Sequence, residues 1–222
     1  MAYILNIHTA TEKAIVSIAE DDRILKAFTN TDSGQHAAFL HVAIKDLLNE
    51  LHFDITQLQA VGVSCGPGSY TGIRVGMATA KGLCYALNIP LVFFNSLELM
   101  ALSAIKNIPD TGARYCPMID ARRMEVFAAL YNYNGEELMP PVAMILDENS
   151  YREMLSVNKI YFFGSGSKKF EKIIANKNAA FVEEDIAADC MSAISFKRYT
   201  NNQFENIGYA QPLYVKEFHS NR

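Results

Sequence analysis

The sequence predicts an α/β fold assembled from two copies of one βββαβαβα unit. Short runs rich in β-branched and apolar residues recur in both halves, in sets of three before the first helix-like stretch. Gly- and Pro-bearing turns punctuate both halves at corresponding places. At 222 residues the chain suits one large domain or two small lobes.

In the first half, Tyr3–His8 (YILNIH) and Ala14–Ala19 (AIVSIA) read as strands joined by a turn over residues 9–13. Asp21-Asp22 turns the chain into a third run, Arg23–Phe28, completing an antiparallel meander. Ser33-Gly34 precedes a helix over Gln35–Leu51, where Leu40, Ile44, Leu47 and Leu51 fall at helical spacing. Ala60–Ser64 is a short buried strand, and Tyr70–Leu87 is a helix stopped by Asn88-Ile-Pro90. Leu91–Phe94 is the next strand, and Ser96 is read as the cap of a helix running to about Lys106.

The pattern then begins again. Tyr115–Asp120 and Glu125–Tyr131 are strands joined by a turn at Ala121-Arg-Arg-Met124, with Val142–Leu146 as a third run. Asn149–Leu155 is helical, Lys159–Phe163 a strand, and Ser167–Ala175 a helix after Gly164-Ser-Gly166. Ala180–Val182 is a short strand, followed by a helix from Ala187 to about Gln203. The expected lobes are residues 1–106, carrying helices 35–51 and 70–87, and a smaller lobe over 107–222.

Half the residues are hydrophobic and 20% are charged, which excludes a disordered chain. Twenty Lys+Arg against 24 Asp+Glu give a net charge of −4, so the chain should not grip a polyanion unaided. The imbalance is shared: residues 1–105 carry 6 basic and 9 acidic side chains, residues 106–222 carry 14 and 15. No run is long and apolar enough to span a membrane, and the start reads as a strand rather than a signal peptide. Cys65, Cys84, Cys116 and Cys190 are widely spaced in apolar contexts, as buried reduced thiols are. A cytoplasmic protein is expected.

Gly66-Pro-Gly-Ser-Tyr-Thr-Gly72 joins a strand to a helix, where free backbone N–H groups favour an anion. It matches no phosphate fingerprint, since Ile73 stands where Walker A needs Lys and the glycines miss the dinucleotide spacing by one. A tight turn is the plainer reading. In the following helix Gly72, Gly76 and Ala80 recur every four residues, with Gly82 and Ala86 beside the stripe and Ile73 and Met77 among its residues. Each helical Gly costs about 1 kcal/mol relative to Ala, so the stripe calls for a compensating close approach. Its partner is either the chain's own sheet or a helix of another subunit, with the Leu40, Ile44 and Leu47 helix beside it.

The stretch Gly66-Pro-Gly-Ser-Tyr-Thr-Gly-Ile-Arg-Val-Gly-Met-Ala-Thr-Ala-Lys-Gly-Leu83 resembles the signature of the TsaB (YeaZ, glycoprotease-like) family. Asp120-Ala-Arg-Arg-Met-Glu-Val-Phe127, the opening Ile4–Glu12 and the tail Pro212–Val215 resemble the same family. The resemblance implies an actin-like, ribonuclease H-like two-lobe fold whose first hairpin turns, at His8–Glu12 and Asp120–Met124, face a cleft. It implies a non-catalytic subunit of the machinery that makes threonylcarbamoyladenosine on tRNA. Such a subunit pairs with a TsaD-type catalytic paralogue, works beside a TsaE-type ATPase, and meets tRNA only through the complex. A homodimer of the isolated chain is the other state left open, and a stand-alone nucleotide hydrolase or metallopeptidase is the alternative function.

Against the family pattern, His8 stands where an acid is usual, and an imidazole is a poor magnesium ligand. Ser96 and Met100 stand where the catalytic paralogue carries His-x-x-x-His, and neither replaces an imidazole. His36 and His41 are five apart and do not share a helix face. Neither a catalytic residue nor a metal ligand is therefore assigned. Asp120, Arg122, Arg123 and Glu125 crowd one turn, for which a solvated surface is the ordinary reading. Gly164-Ser-Gly166 with Lys168 and Lys169 is a second strand-to-helix loop. No cofactor is required on this reading; weak ATP or ADP binding at Gly66, Gly68, Gly164 and Gly166 is the one ligand left open.

Overall fold

A computed structural model describes residues 1–216; residues 217–222, the end of the expected second lobe, lie outside the described residues. The chain divides into two units, Met1–Leu99 with Ala187–Leu213, and Met100–Ile186 with the segment from Tyr214. Each contains a five-stranded mixed sheet, the duplicated α/β arrangement expected.

In the first unit β1 (Tyr3–His8), β2 (Ala14–Glu20) and β3 (Arg23–Asn30) form the antiparallel meander. After α1 (His36–Glu50), β4 (Ala60–Gly66) pairs parallel to β1; after α2 (Tyr70–Leu87), β5 (Leu91–Asn95) pairs parallel to β4. The sheet order is β3-β2-β1-β4-β5. Alternation along β1 gives the sheet two buried faces. Leu5 and Ile7 share one core cluster with Val16, Val61, Leu40, Leu47 and Ala80, which places α1 and α2 on that face. Ser69 Oγ accepts the Gly72 N–H at 3.2 Å and caps α2, and Asn88 ends it at φ +54°.

The helix α3 (Ser96–Asn107) leads into the second unit. Asn95, not Ser96, is its cap: Asn95 Oδ1 accepts the Leu97 N–H at 2.7 Å, and Ser96 is already helical. The second unit runs β6 (Arg114–Asp120), β7 (Glu125–Asn132), β8 (Glu137–Ile145), α4 (Arg152–Val157), β9 (Ile160–Phe163), α5 (Ser167–Glu171) and β10 (Ala179–Phe181). Its order is β10-β9-β6-β7-β8, the same pattern as the first sheet. Phe162 anchors its core, 5.0 Å from Phe170 edge-on and 5.4 Å from Phe181 in a stack.

Several elements differ from expectation, among them α5, which ends at Glu171 rather than Ala175. β8 begins at Glu137 and runs through Pro140 and Pro141, which an edge strand tolerates because one side of its ladder is unpaired. α4 starts at Arg152 because Asp147 Oδ1 takes the Asn149 N–H in a local turn. The last helix, α6 (Ala188–Thr200), packs through Phe196 and Tyr199 on Ile4, Ala60 and Val92. It therefore completes the other face of the first sheet, and the expected boundary at residue 107 does not hold for the chain after Ile186. Among the described residues no helix is long and apolar enough to cross a membrane.

The glycine stripe of α2 presses on the turn after β1. A Cβ on Gly68 would lie 2.0 Å from Ala10 O, one on Gly72 2.0 Å from Thr9 O, and one on Gly76 2.4 Å from Thr9 Oγ1. Ser69 N–H donates to Ala10 O and Thr9 Oγ1 to Gly72 O, each at 2.7 Å. Gly72, Ile73, Gly76, Met77 and Ala80 are thus buried within the chain, as are Leu40, Ile44 and Leu47 of α1. The close approach that the stripe signals is made by the chain's own hairpin, which corrects the expectation of a second helix at Gly76.

Gly72→Ala should therefore destabilise the protein although Ala is the better helix former. The clash with backbone outweighs the roughly 1 kcal/mol propensity gain, for a net loss of about 1–3 kcal/mol. At roughly 2–4 °C per kcal/mol in a chain of this size, thermal melting would read it directly. Gly82 has nothing within 4 Å of a built Cβ, so Gly82→Ala should raise the melting temperature instead. Equal melting of Gly72→Ala and wild type would refute the tight seat.

Candidate functional site

Parallel sheets place ligand-binding groups at the carboxyl ends of their strands. In the first unit those ends carry His8, Ser64 and, just after β5, Ser96. The register pairs Ile7 with Val63 and Ser64 with Phe94, so His8 and Ser64 are lateral neighbours on one face. All three side chains are buried, and His8 Nδ1, Ser64 Oγ and Ser96 Oγ have no protein hydrogen-bond partner. Ser64 was hidden in the apolar run Ala60–Ser64; its place at a strand end was the available signal.

Local hydrogen bonds fix the tautomer of His8. Thr11 gives its one hydroxyl hydrogen to Lys13 O at 3.1 Å, so His8 must donate from Nε2 to Thr11 Oγ1 at 2.8 Å. Nδ1 is then a bare acceptor. His36, at the start of α1, donates from Nε2 to Thr11 O at 2.9 Å and closes the turn from the other side. Burial, with a smaller contribution from the neighbouring His36, pulls His8 down to about 3. A neutral imidazole is therefore held where a magnesium-binding carboxylate would be needed.

Ser96 and Met100 are both buried on α3, one turn apart, and offer a hydroxyl and a thioether. Among the described residues no three His, Cys, Asp or Glu side chains converge closely enough to hold a metal ion. Three thiols are made unreactive by the same physics of burial, which pushes Cys65 to about 11 and Cys84 and Cys116 to about 12. The Gly66–Gly72 loop spends its Ser69 N–H on Ala10 O of the hairpin and its Gly72 N–H on its own Ser69 Oγ. Gly66 and Gly68 are explained by Leu213 O and Ala10 O, which a Cβ would meet at 3.1 and 2.0 Å.

The second unit presents a charged counterpart. Asp120 Oδ1 accepts the Arg122 N–H at 2.6 Å and Lys169 Nζ at 2.7 Å, and Ser165 Oγ accepts the Asp120 N–H at 3.1 Å. Lys169 and the Arg122 N–H offset burial and hold Asp120 below the usual carboxylate range. Arg122 and Arg123 extend from the turn, exposed, at φ +72° and +48°. Gly164 and Gly166 lie against β6, where a Cβ would meet Met118 O at 2.5 Å and the Ile119 carbonyl carbon at 3.1 Å. Close packing explains both glycines, and α5 behind them spans only five residues.

His8 gives the fold a titration that can be measured. The unfolded imidazole takes a proton near pH 6.5, whereas the folded one resists it down to about 3. Its contribution is present above pH 6.5 and is lost as pH falls from 6.5 toward 3, at up to about 1.4 kcal/mol per pH unit. His8→Gln keeps a donor for Thr11 but cannot titrate. The difference in unfolding free energy between wild type and variant should change with pH across that window and stay flat above it. A constant difference would show that His8 charges freely in the folded chain.

Comparisons with known proteins agree with this architecture. The family model described as TsaD, tRNA N6-adenosine threonylcarbamoyltransferase, matches residues 25–211. The tRNA threonylcarbamoyladenosine biosynthesis protein TsaB of Bacillus subtilis is 30% identical over 176 residues, 77% of this chain and 74% of that one. TsaB of Escherichia coli is 25% identical over 223 residues, covering 96% and 94%. Among solved structures, YeaZ from Pseudomonas aeruginosa superposes with a TM-score of 0.79 at 22% identity, covering 96% of this chain and all of that one. A second Pseudomonas aeruginosa structure, described as similar to peptidase YeaZ, gives 0.83 at 23% identity over 97% of this chain. These matches establish that the chain belongs to the TsaB (YeaZ) family.

Proposed function

We propose that the chain is a non-catalytic scaffold or activator subunit in the biosynthesis of threonylcarbamoyladenosine on tRNA, at the adenosine beside the anticodon. It pairs with a TsaD-type catalytic subunit, works beside a TsaE-type ATPase in the cytoplasm, and meets tRNA within that complex. The observation that carries the reading is the neutral, buried strand-end trio His8, Ser64 and Ser96. Transfer of a carbamoyl group needs charge stabilisation at the reacting centre. The trio is uncharged, its imidazole is a bare acceptor, and no metal-holding cluster stands beside it among the described residues, which supports placing the chemistry in the partner.

Support for pairing comes from the outward side of α1 and α2. Ala37, Ala38 and Val42 of α1 are exposed, Val42 by 58%. On α2 the exposed residues Ala78, Gly82 and Ala86 recur every four positions beside Tyr85, which is 83% exposed. Gly82 has no internal contact to justify its helix cost, and a partner helix seated there would justify it. The pairing surface proposed here is this outward one, on the two helices named from the sequence. A stand-alone hydrolase or metallopeptidase is not favoured, because the described residues offer no cluster to hold its metal.

Copurification with the TsaD-type protein of the same organism tests the reading. Wild type should form a stable complex and raise threonylcarbamoyl transfer, while the isolated chain should show neither peptidase nor appreciable ATPase activity. Gly82→Leu should keep its fold yet weaken association roughly 5- to 150-fold, the equivalent of about 1–3 kcal/mol of overpacking. Turnover by the pure chain that a cleft mutation abolishes would sink the proposal, as would unaltered association of Gly82→Leu.

A further inference from the structure

Left-handed backbone is costly for residues with a β-carbon, and two such residues in succession are rarely kept without a compensating use. Arg122 and Arg123 are such a pair, at φ +72° and +48°, in the loop between β6 and β7. The loop is closed by Ala121 N–H to Glu125 O at 3.1 Å and Glu125 N–H to Arg122 O at 3.0 Å. It is braced from below by Asp120 Oδ1 on the Arg122 N–H and by Ser165 Oγ on the Asp120 N–H. The conformation is therefore held by its own hydrogen bonds, with two adjacent arginines exposed on it.

The surrounding charges are already spent. Asp120 is paired with Lys169 at 2.7 Å and Glu125 with Lys216 at 2.6 Å, while Lys168 reaches Glu183 at 3.2 Å. Neither guanidinium has an ion pair or side-chain hydrogen bond among the described residues. The two acids nearest the tip are neutralised by lysines, which leaves the arginines as uncompensated, outward-facing positive charge. An arginine fork matches the oxygens of a phosphate, a geometry that the point charge of Lys does not offer.

We infer that the Arg122–Arg123 turn is a phosphate-contact point for the backbone of the tRNA substrate. The inference rests on the proposed role in tRNA modification and adds a direct contact to it. RNA is favoured over a free nucleotide because the tip is exposed and carries two separate guanidiniums, which suit successive phosphates of a backbone. With a net charge of −4 the chain cannot bind RNA by its overall field, so this turn would add a local contact to those of the catalytic partner.

The test uses the full complex with the TsaD-type partner. The double variant Arg122→Asn with Arg123→Gly places residues that tolerate left-handed backbone, so its melting temperature should equal or exceed that of wild type. Binding of a tRNA transcript should weaken roughly tenfold near 0.1 M salt, and the slope of log affinity against log salt should fall by about one to two. Arg122→Lys with Arg123→Lys should recover most of the salt slope but less of the affinity. ATP and inorganic phosphate binding, measured in parallel, should be unaffected. Unchanged tRNA affinity in an assembled, active complex overturns this inference alone; loss of ATP binding with tRNA binding intact overturns RNA as the ligand. Failure of the wild-type chain to join the partner at all overturns the functional reading beneath it.

Discussion

The seat of the first hairpin on α2 is the constraint from which the first unit follows. Thr9 and Ala10 occupy the space that side chains at positions 68, 72 and 76 would fill, and their polar atoms satisfy the start of the helix. Three helix or loop positions surrender side chains to permit this, a local cost offset by hydrogen bonds and buried backbone that would otherwise face water. Once the turn is clamped, Thr11 is fixed between His8 and His36, and α1 is tied to the same turn. Hairpin, α1 and α2 therefore form one packed block, and the neutrality of His8 is a consequence of that block.

The second unit repeats the device with different chemistry. In both units the glycine loop after the fourth strand presses on the carboxyl end of the first, Gly68 and Gly72 on residues 9–10 and Gly164 and Gly166 on residues 118–119. Duplication is thus visible in the packing as well as in the strand order. The turns it supports have diverged. The first is buried at its base, where His8, Thr9 and Thr11 are bonded to their own surroundings, with Glu12 exposed at its tip. The second is charged and open, with Asp120 anchored so that Arg122 and Arg123 project. A single architecture carries a structural lock in one copy and an exposed cationic turn in the other.

What could be read from the sequence follows the range of the interactions involved. α2 was legible to the residue because the glycine turn before it and the Asn88 terminator after it are both local. The duplicated strand order was legible because each strand announces itself in a few residues. The return of α6 to the first sheet was not, since the contacts of Phe196 and Tyr199 with Ile4 and Val92 span most of the chain. The stripe at Gly72 and Gly76 correctly marked a close approach but carried no information about its partner; a strand-connecting turn fits as well as a helix. His8 was noticed for its departure from an acid, whereas its sealing by Thr11 and His36 depends on a helix that starts 28 residues later.

α2 is small-sided twice over, and this separates stability from association in one element. Positions 72, 76 and 80 face inward, while 78, 82 and 86 are exposed or open. Six residues at about 100° each place the two stripes roughly 240° apart, so they are distinct faces of one helix. The inward stripe is explained by Thr9 of the hairpin, whose carbonyl oxygen lies 2.0 Å from the missing Cβ at 72 and whose Oγ1 lies 2.4 Å from that at 76. The outward stripe has no such internal account, because Gly82 looks into open space. A helical glycine with nothing to accommodate inside the fold is what the proposed pairing surface would use, since a partner helix could approach it closely. Gly76 and Gly82, identical residues about 1.7 turns apart, therefore differ in that the fold requires the first and leaves the second open, which is why only Gly82 enters the proposed pairing surface.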